Sequence, residues 1–98
     1  MANFIFLMHD DVRSQPSSEL WDTYLSALRH QGVFGGGSSI GEGMSFRKQG
    51  ESIRISSPLA GYIRIRANNA EEAHRLLAGN PVFEAGGTVE IRELPADR

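Results

Sequence analysis

One histidine and two aspartates follow the first apolar run of the chain, at His9, Asp10 and Asp11. An imidazole beside a carboxylate can act as a general base, because the carboxylate orients the ring and the ring titrates near neutral pH. His9 is therefore a candidate base with Asp10 as its orienting partner. The alternative is a solvated strand end at which the aspartates form a turn. Without further spaced ligands, this cluster predicts no metal site, and no cofactor is expected.

Two arginines, Arg64 and Arg66, alternate with apolar residues and are predicted to share one face of a strand. Guanidinium groups in that position can bind an anionic ligand through two hydrogen bonds. They can equally pair with glutamates across neighbouring strands or across a dimer interface. Both interpretations remain open at the level of sequence.

Residues 32–43 contain six of the eleven glycines. The spacing of Gly36 and Gly41 is that of a phosphate-binding loop, but Glu42 stands where such a loop requires lysine, and a strand is predicted to follow instead of a helix. Tandem glycines also permit positive φ angles and the close approach of another chain or a ligand. Ser38 is accordingly a candidate ligand contact on this segment.

The pattern of apolar residues predicts the element order βαββαβ. Within residues 3–9, apolar side chains occupy both the even and the odd positions, and therefore both faces of the strand, which favours a central strand. A first helix is expected after Pro16, and a second is expected to open with a capping box, Asn68 with Glu71 or Asn69 with Glu72. The remaining strands are predicted at 40–47, 61–67 and 87–94, with a hairpin turn over 49–52 and a short run containing Ile53 and Ile55 after it.

This order predicts a single α+β domain over residues 1–98, with a ferredoxin-like antiparallel sheet and two helices on one face. The other face would then carry Ile5, Leu7 and Tyr62, and also Met44, without cover. A monomer seldom exposes that much contiguous apolar surface. We therefore expect a second subunit to cover it, so that the protein is a homodimer.

Composition excludes several classes of function. The 98 residues include no cysteine, which excludes disulfides and thiolate metal sites, and the net charge of −2 argues against nucleic-acid binding. No apolar run approaches the length of about 20 residues that a membrane span requires. The first residues lack the charged start and cleavage site of a signal peptide, so a cytoplasmic location is expected.

Four segments of the chain form a more specific pattern: residues 4–11 (FIFLMHDD), 32–37 (GVFGGG), 61–65 (GYIRI) and 80–94 (NPVFEAGGTVEIREL). In these segments, the sequence resembles the YCII-related family, also called the DGPF-domain family. The resemblance extends over nearly the whole chain. The resemblance implies a ferredoxin-like protomer paired into a dimeric α/β barrel with the two sheets facing each other. It also implies a pocket between sheet and helices or at the dimer seam.

Some members of that family are regarded as lyases or dehydrochlorinases of small cyclic substrates. They use a histidine on the first helix and an aspartate in an Asp-Pro pair after the second helix. Here the only histidine near the first helix is His30 at its far end, and the pair is Asn80-Pro81. A neutral amide cannot hold an imidazolium by charge, although it can hydrogen-bond. The dyad is not carried over, and Asn80 is expected only at the lip of the pocket.

Two functions are consistent with these residues. The first is a dimeric domain that binds a small molecule or a protein partner without the dyad chemistry of the family. The second is a small lyase or isomerase acting on an anionic or cyclic substrate, with His9 as base, Asp10 orienting it, and Arg64 or Arg66 holding the anion.

Overall fold

The computed structural model describes residues 1–53, 55 and 58–96. In chain order its elements are β1 (Ala2–His9), α1 (Ser18–His30), β2 (Phe34–Ser39), β3 (Leu59–Ala67), α2 (Ala70–Arg75), α3 (Pro81–Glu84) and β4 (Val89–Leu94). The four strands form one antiparallel sheet in the order β2-β3-β1-β4. The fold is therefore α+β and compatible with a ferredoxin-like arrangement. Strand β1 lies in the interior of the sheet, as the apolar residues on both of its faces predict.

All three helices pack on one face of this sheet. Alternate residues of β1 and β3 are buried there together with Tyr24 and Leu28 of α1, Ala73 of α2 and Val82 of α3. The buried strand residues are Phe4, Phe6, Met8, Ile63, Ile65 and Ala67. This burial confirms the prediction that the apolar residues of the 61–67 strand, Ile63, Ile65 and Ala67, point inward.

The opposite face of the sheet has no covering element among the described residues. Register places Leu7 beside Tyr62 on β3 and beside Glu90 on β4, while Ile5 lies between Arg64 and Arg92. Leu7, Ile5 and Tyr62 are half-buried by their strand neighbours alone. We call this surface, made by Ile5, Leu7, Tyr62, Arg64, Glu90 and Arg92, the open face.

The second strand lies earlier in the chain than the sequence pattern indicates. It runs over Phe34–Ser39, whereas residues 41–47 form no strand. The prediction of a strand at 40–47 was wrong because tandem glycines indicate a loop on propensity alone. In the sheet, Gly37 instead lets β2 approach β3 closely, since a Cβ at this position would lie 2.5 Å from the carbonyl oxygen of Tyr62.

The predicted hairpin over 49–52 is also wrong. A bend with positive φ at Gly50 is present, but 41–53 contains neither helix nor strand. Met44 and Phe46, at 76% and 79% exposure, lie outside the core, so Met44 does not contribute to the open face. The radius of gyration, 14.8 Å, exceeds the value of about 13 Å typical of a domain of this length.

The helix ends follow the local signals of the sequence. Ser17 caps α1, and Gly32 follows its end with φ of +74°. At α2 the second of the two capping alternatives is present: Asn69 Oδ1 accepts from the backbone N of Glu72 at 2.8 Å. Beyond this second helix, the described residues contain a further short helix, α3, which was not predicted. No helix in the described ranges has the length and hydrophobicity needed to cross a bilayer.

Candidate functional site

A cavity of about 590 Å³ lies between α1, β2 and the adjoining ends of β1 and β3. Its apolar lining comes from Met8, Val12, Pro16, Trp21, Leu25, Phe34, Ala60, Ile63 and Val82. The polar residues that border it are His9, Asp10, Gln15, Arg29, Ser38, Ser39 and Tyr62. A mainly apolar concavity with a few polar groups is the usual form of a small-molecule site.

The glycines of β2 keep this cavity open. Gly36 and Gly37 line it and contribute no side chain, so that part of the wall is backbone. Gly36 has φ of +101°, a conformation that other residues rarely adopt, whereas Gly37 is required by its close approach to Tyr62. The expectation that these glycines serve structure and the expectation that they border a ligand site are therefore compatible.

The helix α1 contributes three side chains to the cavity: Trp21, Leu25 and Arg29. They face one side of the helix because they are four residues apart. The guanidinium carbon of Arg29 lies 5.0 Å from the centroid of the Phe34 ring, which lines the same cavity. Arg29 is not among the candidate site residues predicted from the sequence. Its helical spacing from the partly buried Trp21 and Leu25 was the available signal.

His9 lies at the end of β1, where the pairing with β3 shifts register after Met8. Its Nε2 atom is 2.8 Å from Oε1 of Glu90 on β4, and Arg92 Nη1 approaches the other oxygen of Glu90 at 3.6 Å. The hydrogen bond with His9 lowers the pKa of the Glu90 carboxyl. The side chain of His9 is 16% exposed and that of Glu90 40% exposed, so the imidazole is the more enclosed partner.

The carboxylate that pairs with His9 is therefore Glu90, not the predicted Asp10. Asp10 lines the cavity beside His9, but no hydrogen bond between the two is present. Adjacent residues of a strand point to opposite faces, whereas residues of neighbouring strands on one face lie side by side. This geometry favours a partner from β4 over the next residue along the chain.

Asp11 has a structural partner instead. Its two carboxylate oxygens accept hydrogen bonds from the backbone N and the hydroxyl of Thr88, at 2.8 Å and 2.7 Å. The backbone hydrogen bond is the main reason that the pKa of Asp11 is lowered. Together with the bond from the N of His9 to the carbonyl oxygen of Thr88, this pair ties the exit of β1 to the start of β4.

The four predicted ligand-binding residues lie in three different places. Ser38 lines the cavity. Arg64 and Arg66 are exposed on the other side of the sheet, and Arg66 Nη2 donates to the carbonyl oxygen of Gly32 at 3.4 Å. Neither arginine forms an ion pair within the described part of the chain.

Asn80 is not at a pocket lip. It is fully buried, and its Oδ1 accepts from the backbone N of Val82 and of Phe83 at 3.0 Å and 3.1 Å, which caps α3. Its Nδ2 donates to the sulfur of Met8 at 3.6 Å. The Asn-Pro pair is thus a helix start, since proline suits the first position of a helix and asparagine the cap before it.

Comparison with known proteins adds no assignment: no protein-family model and no curated protein matches the chain. In the described ranges, no three histidine or acidic side chains are grouped closely enough to hold a metal ion.

Proposed function

We propose that this protein binds a small molecule with an apolar body and an anionic group in the cavity between α1 and β2. The observation that carries the proposal is the cavity itself, at about 590 Å³. That volume lies within the range of roughly 300–1,000 Å³ that small-molecule sites occupy. Its apolar lining suits a hydrocarbon or aromatic body.

Arg29 supports the anionic part of the proposal. It is the single lysine or arginine among the described residues that line the cavity. Its stacking on Phe34 holds the planar guanidinium in place, and no side chain in the described part of the chain forms an ion pair with it, so its N–H groups can bind a carboxylate. Arg29 thus takes the role that sequence reasoning gave to Arg64 or Arg66.

Trp21 makes the proposal directly testable. It lines the cavity and is the only tryptophan of the chain, so its fluorescence reports on the cavity. The probes are benzoate and cyclohexanecarboxylate, each compared with its neutral amide. We expect a saturable fluorescence change with the acids and a weaker one with the amides. If neither acid gives saturation, the proposal fails.

A matched pair of variants isolates the cation. Arg29→Gln removes the charge from the cavity, and Arg75→Gln removes a similar charge from the last turn of α2, away from it. Losing a charge-assisted hydrogen bond should weaken binding of the acids by about tenfold or more in Arg29→Gln. Arg75→Gln should bind like the wild type. Equal affinities in both variants would remove Arg29 from the site.

The proposal includes a second copy of the chain on the open face, as in the dimeric α/β barrel that the resemblance to the YCII-related family implies. Three observations support it. Ile5, Leu7 and Tyr62 are adjacent in register, they lie between charged residues of both signs, and no described element covers them. Glu90 and Arg92 of one copy could pair with Arg64 and Glu90 of another across such an interface.

Light scattering tests this arrangement. The mass at micromolar concentration should be twice that of one chain, and Leu7→Lys should reduce it to one, because the new cation is tolerated beside Glu90 within a chain but not between two sheets. The matched control is Leu20→Lys at an exposed position of α1. A wild-type mass of one chain, or a dimer unaffected by Leu7→Lys, contradicts the proposed interface.

One observation favours a second candidate function, a lyase or isomerase in which His9 accepts a proton from the ligand. That observation is the contact of His9, a residue bordering the cavity, with Glu90, because a histidine held by a carboxylate is a common form of general base. The test is an assay for turnover of small cyclic or hydroxylated acids. We expect turnover to be lost in His9→Gln and retained in the control His74→Gln, because His74 is exposed on α2.

A further inference from the structure

We propose that the outer edge of β4 pairs with the same edge of a second copy of the chain, antiparallel and about a two-fold axis through Ile91. The two sheets then form one continuous sheet across both copies. This interface is an edge of the sheet, whereas the open face is one of its surfaces. It depends neither on the proposed ligand nor on the proposed interface through the open face.

The outer edge of β4 has no partner in the described part of the chain. In the strand order β2-β3-β1-β4 it is terminal, and it pairs only with β1. Every second residue of such a strand directs its backbone N–H and C=O groups away from the sheet. No backbone hydrogen bond from a described loop or turn reaches residues 89–94. These groups are therefore available to another strand.

The two edge strands of the sheet differ in regularity. The pairing of β2 with β3 shifts register between Phe34 and Gly37, and Gly36 has φ of +101°. Bulges of this kind protect an edge from pairing with other chains. In contrast, β4 is in unbroken register with β1 and contains no glycine, proline or lysine. The β4 edge can therefore accept a strand, and the irregular β2 edges end the sheet at two copies.

The charges of β4 select the register of the pair. An axis through Ile91 places Glu90 of each copy opposite Arg92 of the other. Opposite charges in facing positions stabilise antiparallel strands, and like charges there destabilise them. An axis through Glu90 or through Arg92 would bring two like charges together. The strand is thus complementary to itself when Ile91 lies on the axis.

Both charged side chains are accessible for this pairing. The side chain of Arg92 is 68% exposed and that of Glu90 is 40% exposed, and the two approach each other at 3.6 Å within one chain. Register with Ile5 and Leu7 places them on the open-face side of β4. Two paired copies would therefore form a cluster of four alternating charges along the shared edge.

Ile91 lies on the other side of β4, where the helices pack. It faces the buried Phe6 of β1 and is itself only partly buried against the core. In the proposed pair, the Ile91 side chains of the two copies cover each other. A two-fold axis normal to the sheet keeps its two sides distinct, so the helices of both copies lie on one side and the open faces remain accessible on the other.

Cysteine cross-linking tests the register, because the chain contains no cysteine of its own. In Ile91→Cys the two thiols face each other at a separation that a disulfide can span. In the control Glu93→Cys, on the same side of β4, they are separated by four residues, or about 14 Å along the strand. With a mild oxidant, Ile91→Cys should form the covalent dimer about tenfold faster or more.

The concentration and the outcomes are specific to the edge. Six residues of strand bury less than the roughly 800 Å² per partner of a stable interface, so the pairing is expected above about 0.1 mM and not at micromolar concentration. An interface through the open face cannot give this cross-link, because Ile91 lies on the helix side. Equal rates in the two variants, or no covalent dimer from Ile91→Cys, overturn the proposal whether or not the open face binds a second copy.

Charge reversal tests the complementarity, with the Ile91→Cys cross-link as the readout. Added to that variant, Arg92→Glu leaves only negative charges at the two positions, and Glu90→Arg leaves only positive ones. Each should cross-link about tenfold more slowly alone, and an equimolar mixture of the two should restore the rate. The control Arg47→Glu, at an exposed position in 41–53, should leave the rate unchanged.

A mixture no faster than the separate charge variants overturns the proposed register. Thermal unfolding shows whether each charge variant is folded. If one is not, the comparison of Ile91→Cys with Glu93→Cys decides the proposal by itself.

Discussion

The Nε2 atom of His9 lies 2.8 Å from Oε1 of Glu90, although 81 residues separate the two positions in the chain. The contact exists because β1 and β4 are neighbours in the sheet, with Leu7 opposite Glu90 in the pair before the last one between the two strands. It places the Glu90 carboxylate of the open face against the imidazole of His9. The acidic group next to His9 in sequence borders the cavity without bonding to His9.

Stability toward acid should depend on Asp11. Its pKa is lowered by its hydrogen bonds from Thr88 in the folded protein, so its contribution is complete above the ordinary value of 3.8 and is lost as pH falls through the lower folded-state pKa. Asp11→Asn should therefore be less stable than the wild type at pH 7, and the difference should shrink below pH 4. Urea unfolding at several pH values measures it. Asp22→Asn, on the exposed side of α1, is the control, and a difference that is constant with pH would contradict this account.

Stability toward alkali should depend on Tyr24. Its buried hydroxyl donates to the carbonyl oxygen of Leu76 at 2.6 Å, and burial raises the pKa of Tyr24 to about 12. Its contribution is complete below pH 10, the ordinary value, and is lost as pH rises toward 12. Tyr24→Phe should cost about 0.5–1.5 kcal/mol at pH 7. Ultraviolet titration of the wild type should show a late phenolate step that is missing in this variant. A tyrosine spectrum with no late step contradicts the prediction.

The buried cap of α3 should be worth more than the exposed cap of α2. Asn80→Ala leaves the N–H groups of Val82 and Phe83 without their acceptor inside the core, and we expect a loss of about 1–3 kcal/mol in the free energy of unfolding. Asn69→Ala removes an exposed cap and should cost about 1 kcal/mol or less. Chemical unfolding of both variants compares them. A larger loss at Asn69 would show that burial is not what makes the α3 cap important.

Two alanine substitutions test whether residues 34–39 form a strand of the sheet, because they should differ in their effect on stability. Gly37→Ala places a methyl group 2.5 Å from the carbonyl oxygen of Tyr62 and should cost about 1–3 kcal/mol, because β2 must move away from β3. Gly41→Ala meets no atom within 4 Å and should change stability by less than about 0.5 kcal/mol. Thermal and chemical unfolding measure both. Equal effects would place residues 34–39 outside the sheet.

Local signals of the sequence predicted the elements whose structure depends on near neighbours. The apolar patterns located β1, β3 and β4, and Pro16 preceded α1 as predicted. These patterns succeed because a strand or helix buries a face at its own period. The order of elements then restricted the fold to an antiparallel sheet with its helices on one side.

The errors fall where a contact distant in the chain outweighs propensity. Gly35 and Gly37 lie in a strand because β3 is so close that a Cβ at either position would crowd a carbonyl oxygen of β3. Asn80 resembled a pocket residue but is buried, because a chain turning into α3 needs an acceptor for two backbone N–H groups. The strand position of the glycines has no signature within a few residues, whereas the helix start has one in the Asn80-Pro81 pair.

The sequence by itself determined the candidate chemistry, since it contains no cysteine and its acid–base groups are histidine, carboxylate and arginine. Only the tertiary structure decided which of these groups meet. Strand pairing brings Glu90 to His9, helix packing brings Arg29 to the cavity, and the sheet separates Arg64 and Arg66 from it. The physical reason is that residue type and period determine what a side chain can do and which face it takes, while its partners depend on the order of strands in the sheet.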